Sequence, residues 1–277
     1  MDVLAVDTCL EPGSIALFSA DASAPPPAGA SGEPDVVALP PGWRSVALHE
    51  EIRRLLARHN LTTADVDRYA VTAGPGAFTG VRLGLTAVKG FAEAHGKSVV
   101  TVSTLEALAF AAKNSDKCQV TSDENEAPAS ESLITRHASL VTALAPVFDA
   151  RRGQIFGALY AVENYESSER TERTERTEFR PILPDMVCPL HTFLRQIQCA
   201  ELAPERLRFC VTDEAILLPA IEEFGWGADS LLRVSPHLAG AVARMGAARF
   251  RQGKGIGALA ADANYVRASD AELFWKE

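Results

Sequence analysis

The chain has 277 residues, of which 47% are hydrophobic and 23% charged, with a formal net charge of −9. This length and balance suit one large domain or two small ones around an ordinary core. The acidic sum sets the field against phosphate and makes the chain a poor candidate for a main RNA-binding surface; no run of eighteen apolar residues offers a membrane span.

The opening MDVLAVDTCL has no basic segment before its apolar run and reads as a strand, not a secretion signal. VLAVDT (3–8) and SIALFSA (14–20) predict a strand hairpin that turns at Pro12 and Gly13. Residues 21–42, rich in Pro, Ala and Gly, read as a loose insertion with one short strand at Val36 and Val37. Ser45 is placed to cap a helix reaching about Asn60, with Leu48, Ile52, Leu55 and Leu56 on one apolar face. RYAVTAG is a buried strand entering a glycine loop, and a second helix runs from about Phe78 to His95. A strand at 97–103 and a helix at 104–113 follow, then a polar loop at 114–137. Residues 140–150 and 154–162 are strands joined at Arg151, Arg152 and Gly153. The low-complexity SSERTERTERTEF reads as a hairpin extension or an unstructured tip. Short helices and strands alternate over 185–230, a helix covers 236–252, and ANYVR (263–267) is a short terminal segment.

The order of elements repeats, which predicts an α/β protein in two similar halves. The N-terminal lobe is placed at 1–105 with its insertion at 21–42. The C-terminal lobe is placed at 106–235 with inserts at about 114–137 and 166–179, and the segment 236–277 is free to return and complete the first lobe.

The stretch AGPGAFTGVRLGLTAVKG (73–90) carries the main chemical question. Glycines before a helix N-terminus can cradle phosphate, or they can serve only a tight strand-to-helix turn. A Walker loop is absent: Gly96, Lys97 and Ser98 form the right triplet, but Phe91 stands where its first glycine belongs, and a strand follows. In the helix, Gly80, Gly84, Ala87 and Ala94 form a small stripe beside the apolar Val81, Leu85, Val88 and Ala92. Each interior glycine costs roughly 1 kcal/mol relative to alanine. Gly80, Gly84 and Gly90 therefore call for close packing, by an internal element or by a partner protein. None of the six histidines has another three to five residues away, which leaves no helical metal pair. Cys9, Cys118, Cys188, Cys199 and Cys210 are scattered and read as reduced thiols in a cytoplasm, without structural zinc. The local basic run of Arg244, Arg249, Arg251 and Lys254 reads as a solvated helix face.

AVDTCLEPGSIAL, GPGAFTGVRLGLTAVKGFA, VSTLEALA and DARRGQIFGALY together resemble the bacterial TsaB (YeaZ) family, with a weaker echo at NYVR (264–267). The family's glycine loop carries serine where this chain has Ala77. The resemblance implies an actin/hexokinase/Hsp70-like (ASKHA) fold with two similar lobes. It implies a non-catalytic subunit, without cofactor or metal of its own, in the complex that installs threonylcarbamoyl on the adenosine beside the anticodon of tRNAs reading codons that start with A. The implied partners are a TsaD-like transferase, a TsaE-like ATPase and a second copy of the chain, with tRNA met only through the complex. The implied contact surface comprises Leu48, Ile52, Leu55, Gly76, Phe78, Thr79, Gly80, Arg82, Gly84, Ala87 and Phe91; Gly84→Leu is then expected to block association with little loss of fold. Asp7, Thr8 and Asp149 fall where relatives of this fold hold nucleotide, and are read as a vestigial site. The alternatives are an independent ATP-dependent phosphotransferase or a metallopeptidase-like hydrolase; a third is a stand-alone homodimer.

Overall fold

Asp2–Asp7 (β1) and Ser14–Ser19 (β2) pair antiparallel as the hairpin, and Asp35–Ala38 (β3) adds antiparallel to β2. Arg68–Thr72 (β4) and Val99–Val102 (β5) extend the sheet on the other side in parallel, giving the order β3-β2-β1-β4-β5. The computed structural model describes residues 1–19, 32–40, 42, 45–114, 143–165 and 176–266. Expectations for most of the 21–42 insertion, the 114–137 loop and the 166–175 tract lie outside these residues.

Side chains alternate between the two faces of the sheet, so each face needs its own helical cover. One face sends Leu4, Val6, Tyr69 and Val71 into a core with Leu48, Ile52, Leu55 and Leu56 of helix α1 (Ser45–Arg58) and Leu85 and Val88 of helix α2 (Phe78–His95). Ser45 thus opens α1 as a helical residue, and the helix stops before Asn60, whose φ is 56°. Helix α3 (Thr104–Lys113) follows β5. The other face is covered by the returning helix α6 (Ala239–Arg251), packed on β1 and β2. A Cβ on its Gly246 would stand 2.7 Å from the Ala70 Cβ, which is why the helix can lie so close.

The second sheet runs β10-β9-β6-β7-β8, with Ala143–Arg151 (β6), Gln154–Tyr165 (β7), Arg176–Pro189 (β8), Leu207–Val211 (β9) and Leu231–Arg233 (β10). β6 to β8 are antiparallel, and β9 and β10 are parallel to β6. Counted from its own first strand this is the order of the first sheet, 3-2-1-4-5. Helices α4 (Leu190–Gln198) and α5 (Leu218–Ile221) cover it through Phe193, Leu194, Ile197 and Ile221. Two such sheets of identical strand order make this an α/β protein of the actin/hexokinase/Hsp70-like kind. One unit comprises Met1–Ala107 and the segment returning from Pro236; the other comprises Leu108–Ser235.

Residues 176–179 of the tract read as a hairpin extension do pair with β7, but the strand they open, β8, runs on to Pro189, which the sequence does not announce. Pro181 and Pro184 argue against a strand, since proline lacks the ladder N–H. β8 lies at the sheet edge and pairs only with β7 among the described strands, with register breaks around Leu159, so a missing donor costs it little.

Candidate functional site: the hairpin tip and the outer face of helix α2

Asp7 ends β1 fully buried. Its Oδ1 accepts hydrogen bonds from the Thr72 hydroxyl (2.7 Å) and the Cys9 amide (3.1 Å), which ties the hairpin tip to β4. Oδ2 makes no hydrogen bond of regular geometry. Burial pushes the carboxyl up to about 6, against the Thr72 hydroxyl and the backbone amides of Cys9 and Leu238, which pull it down. Burial, with the Asp7 charge beside it, raises the Cys9 thiol to about 12, so it is held protonated and is a poor nucleophile.

The glycine loop is filled by the protein itself. The Ala77 amide donates to the Cys9 carbonyl (3.2 Å), the Thr104 amide to Gly74 (2.9 Å) and the Asn264 amide to Ala73 (2.7 Å). Gly74 has φ 103°, and a Cβ there would meet the Asn264 carbonyl; one on Gly76 would stand 2.7 Å from Cys9. Thr8 donates its hydroxyl to the Gly80 carbonyl at 2.7 Å. A Cβ on Gly80 would run into the Thr8 carbonyl, and one on Gly84 into the Thr8 hydroxyl. These glycines therefore let the helix seat on its own hairpin tip.

This placement corrects the implied contact surface. Gly80, Gly84 and Ala87 are buried within the unit, and Leu48, Ile52 and Leu55 are core residues of α1; none of them faces outward. Gly84→Leu is no longer a change that spares the fold. Phe78, Thr79 and Arg82 are exposed. Phe91 is half-buried between α1 and α2, against the rings of His49 and Tyr69. The true outer ridge of α2 lies one position further round: Thr79, Leu83, Thr86, Gly90 and Ala94, spaced i, i+4, i+7, i+11 and i+15. It is uncharged, and a Cβ on Gly90 would meet nothing within 4 Å. Gly90 stood in the same sequence count as the other two glycines, but only the packing separates their roles.

One flank of this ridge is a strap, residues 256–265. Ile256 exchanges backbone hydrogen bonds with Val99 (2.8 and 2.9 Å). Lys89 Nζ donates to the carbonyls of Ala261 (2.8 Å) and Leu259 (3.5 Å). Arg82 Nε donates to the Tyr265 hydroxyl (3.0 Å), and its guanidinium lies 3.8 Å from the centre of the Phe78 ring.

Asp149 is half-exposed in the other unit, where its Oδ1 accepts from the Arg151 amide at 2.7 Å in a tight turn, with Arg151, Arg152 and Gly153 all at φ near 60–70°. Gly96 of the chance phosphate triplet caps the end of α2 in the left-handed region, at φ 61°. In the basic run, Arg249 binds both oxygens of Glu106 (2.6 Å each) and Arg244 meets Glu33 (2.7 Å), while Arg251 and Lys254 are exposed. Among the described residues no group of three or more His, Cys, Asp or Glu could hold a metal ion, and no helix is long and apolar enough to cross a membrane.

The family model for the tRNA N6-adenosine threonylcarbamoyltransferase TsaD matches residues 44–122, which contain α1, α2 and α3. The tRNA threonylcarbamoyladenosine biosynthesis protein TsaB of Bacillus subtilis is 29% identical over 120 residues, 43% of this chain and 42% of that protein. The tRNA N6-adenosine threonylcarbamoyltransferase of Rhizobium etli is 43% identical over 70 residues, 25% of this chain and 19% of that protein. The chain thus spans less than half the length of these curated relatives. Two Pseudomonas aeruginosa structures share the fold at 21% identity. One is of a protein described as similar to peptidase YeaZ (TM-score 0.63, 96% of this chain and 99% of that one), the other of YeaZ itself (TM-score 0.60, 95% and 99%). With the YeaZ fold along nearly its whole length and the glycine-loop segment in common, this chain resembles the TsaB (YeaZ) family.

Proposed function

We propose that the chain is a non-catalytic binding subunit of the machinery that makes threonylcarbamoyladenosine in tRNA, and that it pairs with a TsaD-like transferase through the outer ridge of α2. The observation that carries this reading is Gly90. A mid-helix glycine exposed to solvent is destabilising and has no internal neighbour to justify it. A second helix approaching closely gives it a use. The similarity of residues 44–122 to the transferase family adds support, because a partner built on the same helix pair offers a matching face. A TsaE-like ATPase, self-association and a cytoplasmic setting belong to the same proposal, and tRNA is met through the complex.

The absence of chemistry of its own is part of the proposal. It is supported by the protonated Cys9 thiol, by a glycine loop filled with protein groups and by the Asp149 carboxylate turned onto its own chain. The test is association with the TsaD-like protein of the same organism, followed by light scattering on a sizing column and by calorimetry. A one-to-one complex is expected. Gly90→Leu has room to fold, so it is expected to keep or raise the melting temperature and weaken the complex at least tenfold. A Gly90→Leu protein that binds as tightly as the parent removes α2 from the interface.

A further inference from the structure

The strap raises a separate question. Phe78 (46% exposed), Ile256 (36%), Leu259 (83%) and Tyr265 (48%) are large hydrophobic side chains left open along one flank of α2. Leu259 sits beside Lys89, and Tyr265 beside Phe78 and Arg82, so the strap runs antiparallel to the helix along most of its length. The two cations on that flank do not solvate it. Lys89 is spent on strap carbonyls and Arg82 on the Tyr265 hydroxyl and the Phe78 ring. The flank thus exposes Phe78, Ile256, Leu259 and Tyr265 beside the exposed charges Arg82 and Asp262, a mixed apolar and charged surface of the kind that meets another protein. Its backbone is pinned to β5, to Ala73 just after β4 and to Lys89 of α2, so little ordering cost attends binding.

We propose that the strap, with Leu259 as its anchor, is the specificity rim of the partner site: it packs beside the transferase's helix when that helix lies on the α2 ridge. The proposal rests on the pairing argued above and adds to it a contact outside the segment the two proteins share. Residues 44–122 match the transferase family, whereas the strap lies beyond them. The ridge lies within the segment that matches the transferase family, and the strap adds a contact from outside that segment. A partner helix on an uncharged ridge has its flank within reach of Leu259 and Tyr265, and apolar groups there exclude water around the central contact.

The test compares Leu259→Glu and Leu259→Ala with the parent and with Gly90→Leu, measuring calorimetric Kd for the TsaD-like protein and self-association by light scattering. Leu259 is so exposed that both variants keep the parental melting temperature. The expected result is a Kd at least tenfold weaker for Leu259→Glu and several-fold weaker for Leu259→Ala. A parental Kd for both overturns the proposal, and the α2 reading still stands if Gly90→Leu has lost binding. Loss of a homodimer with the mixed complex intact also overturns it, since the occupant is then a second copy. A parent that forms no mixed complex sinks both.

Discussion

Asp7 holds a carboxyl group entirely out of water at the end of β1. Its carboxyl is raised from 3.8 to about 6 by burial, so the folded state disfavours the charge. Below the unfolded value both states are protonated, and the group has no effect. As pH rises from about 4 to 6 the unfolded chain ionises first, and folding stability falls; above the folded value the deficit is constant. Asp7→Asn removes this titration. Urea unfolding at pH 4.5 and 7.5 is expected to show the stability of the variant rising relative to the parent by about 2 kcal/mol across that interval. A constant difference between the two proteins means that Asp7 titrates normally. Gly84 makes the opposite kind of demand, steric instead of electrostatic. With the Thr8 hydroxyl occupying the notch, even Gly84→Ala overfills it. The expected loss is about 1–3 kcal/mol, typical of overpacking, despite alanine's better helix propensity. Gly90→Ala, with open space, is expected to stabilise by up to ~1 kcal/mol, and thermal melts of the pair separate the two roles. Equal shifts in the two variants mean that Thr8 yields freely.

Helix α2 shows which parts of the structure could be read from sequence. Its period and ends are local properties, and Phe78–His95 follows from them. Its orientation is not local. Small residues fall on two adjacent strips, and both suit close packing. The contact that decides between them is made by Thr8, 72 positions earlier in the chain, on Gly80. Phe78, Thr79 and Arg82 of the expected surface are exposed, whereas Gly80, Gly84 and Ala87 stand one position past Thr79, Leu83 and Thr86, and that single step exchanges surface for core. Leu48, Ile52 and Leu55 went astray for a similar reason: an apolar helical face is evidence of burial, and only the sheet beneath α1 shows that the burial is internal. Only the start of β8 is legible in the sequence, because Pro181 and Pro184 signal a break unless the strand is known to lie at an edge. The start of α2 also carries a testable deficiency. Ala77 occupies the N-cap in an extended conformation (φ −60°, ψ 120°) and has no side-chain acceptor to offer the free amides of the first turn. Ala77→Ser is expected to stabilise the protein by about 1 kcal/mol, read as a higher urea midpoint at unchanged slope. An unchanged midpoint indicates that those amides are already satisfied.

At the scale of the whole molecule, the chain closes its first unit with residues that come last. β1 to β5 are complete by Val102, yet one face of their sheet stays bare until α6 arrives from Ala239. Val3, Ala5 and Ala70 are small or branched, and Gly246 lets the helix backbone come down onto them. The same returning segment supplies the strap, which bridges the edge of β5 and fills the glycine loop through Asn264. A chain ending at Ser235 therefore loses the cover of one sheet face, an edge pairing and the loop plug together. It retains every described element of the second unit, whose core of Phe193, Phe209 and Trp226 lies within residues 108–235. Removing α6 exposes the wholly buried Val3, Ala5 and Ala70 of the first sheet to water, so the first unit is expected to lose stability in that truncation while the second keeps it. Hydrogen exchange is expected to show amides of β1, β2 and β4 exchanging freely while those of β6, β7 and β9 stay protected. Full protection of β1 and β4 without α6 means that the helices on the other face suffice. In that case the strap is an attachment to a finished unit, and its exposed hydrophobic residues have still less structural reason to be there.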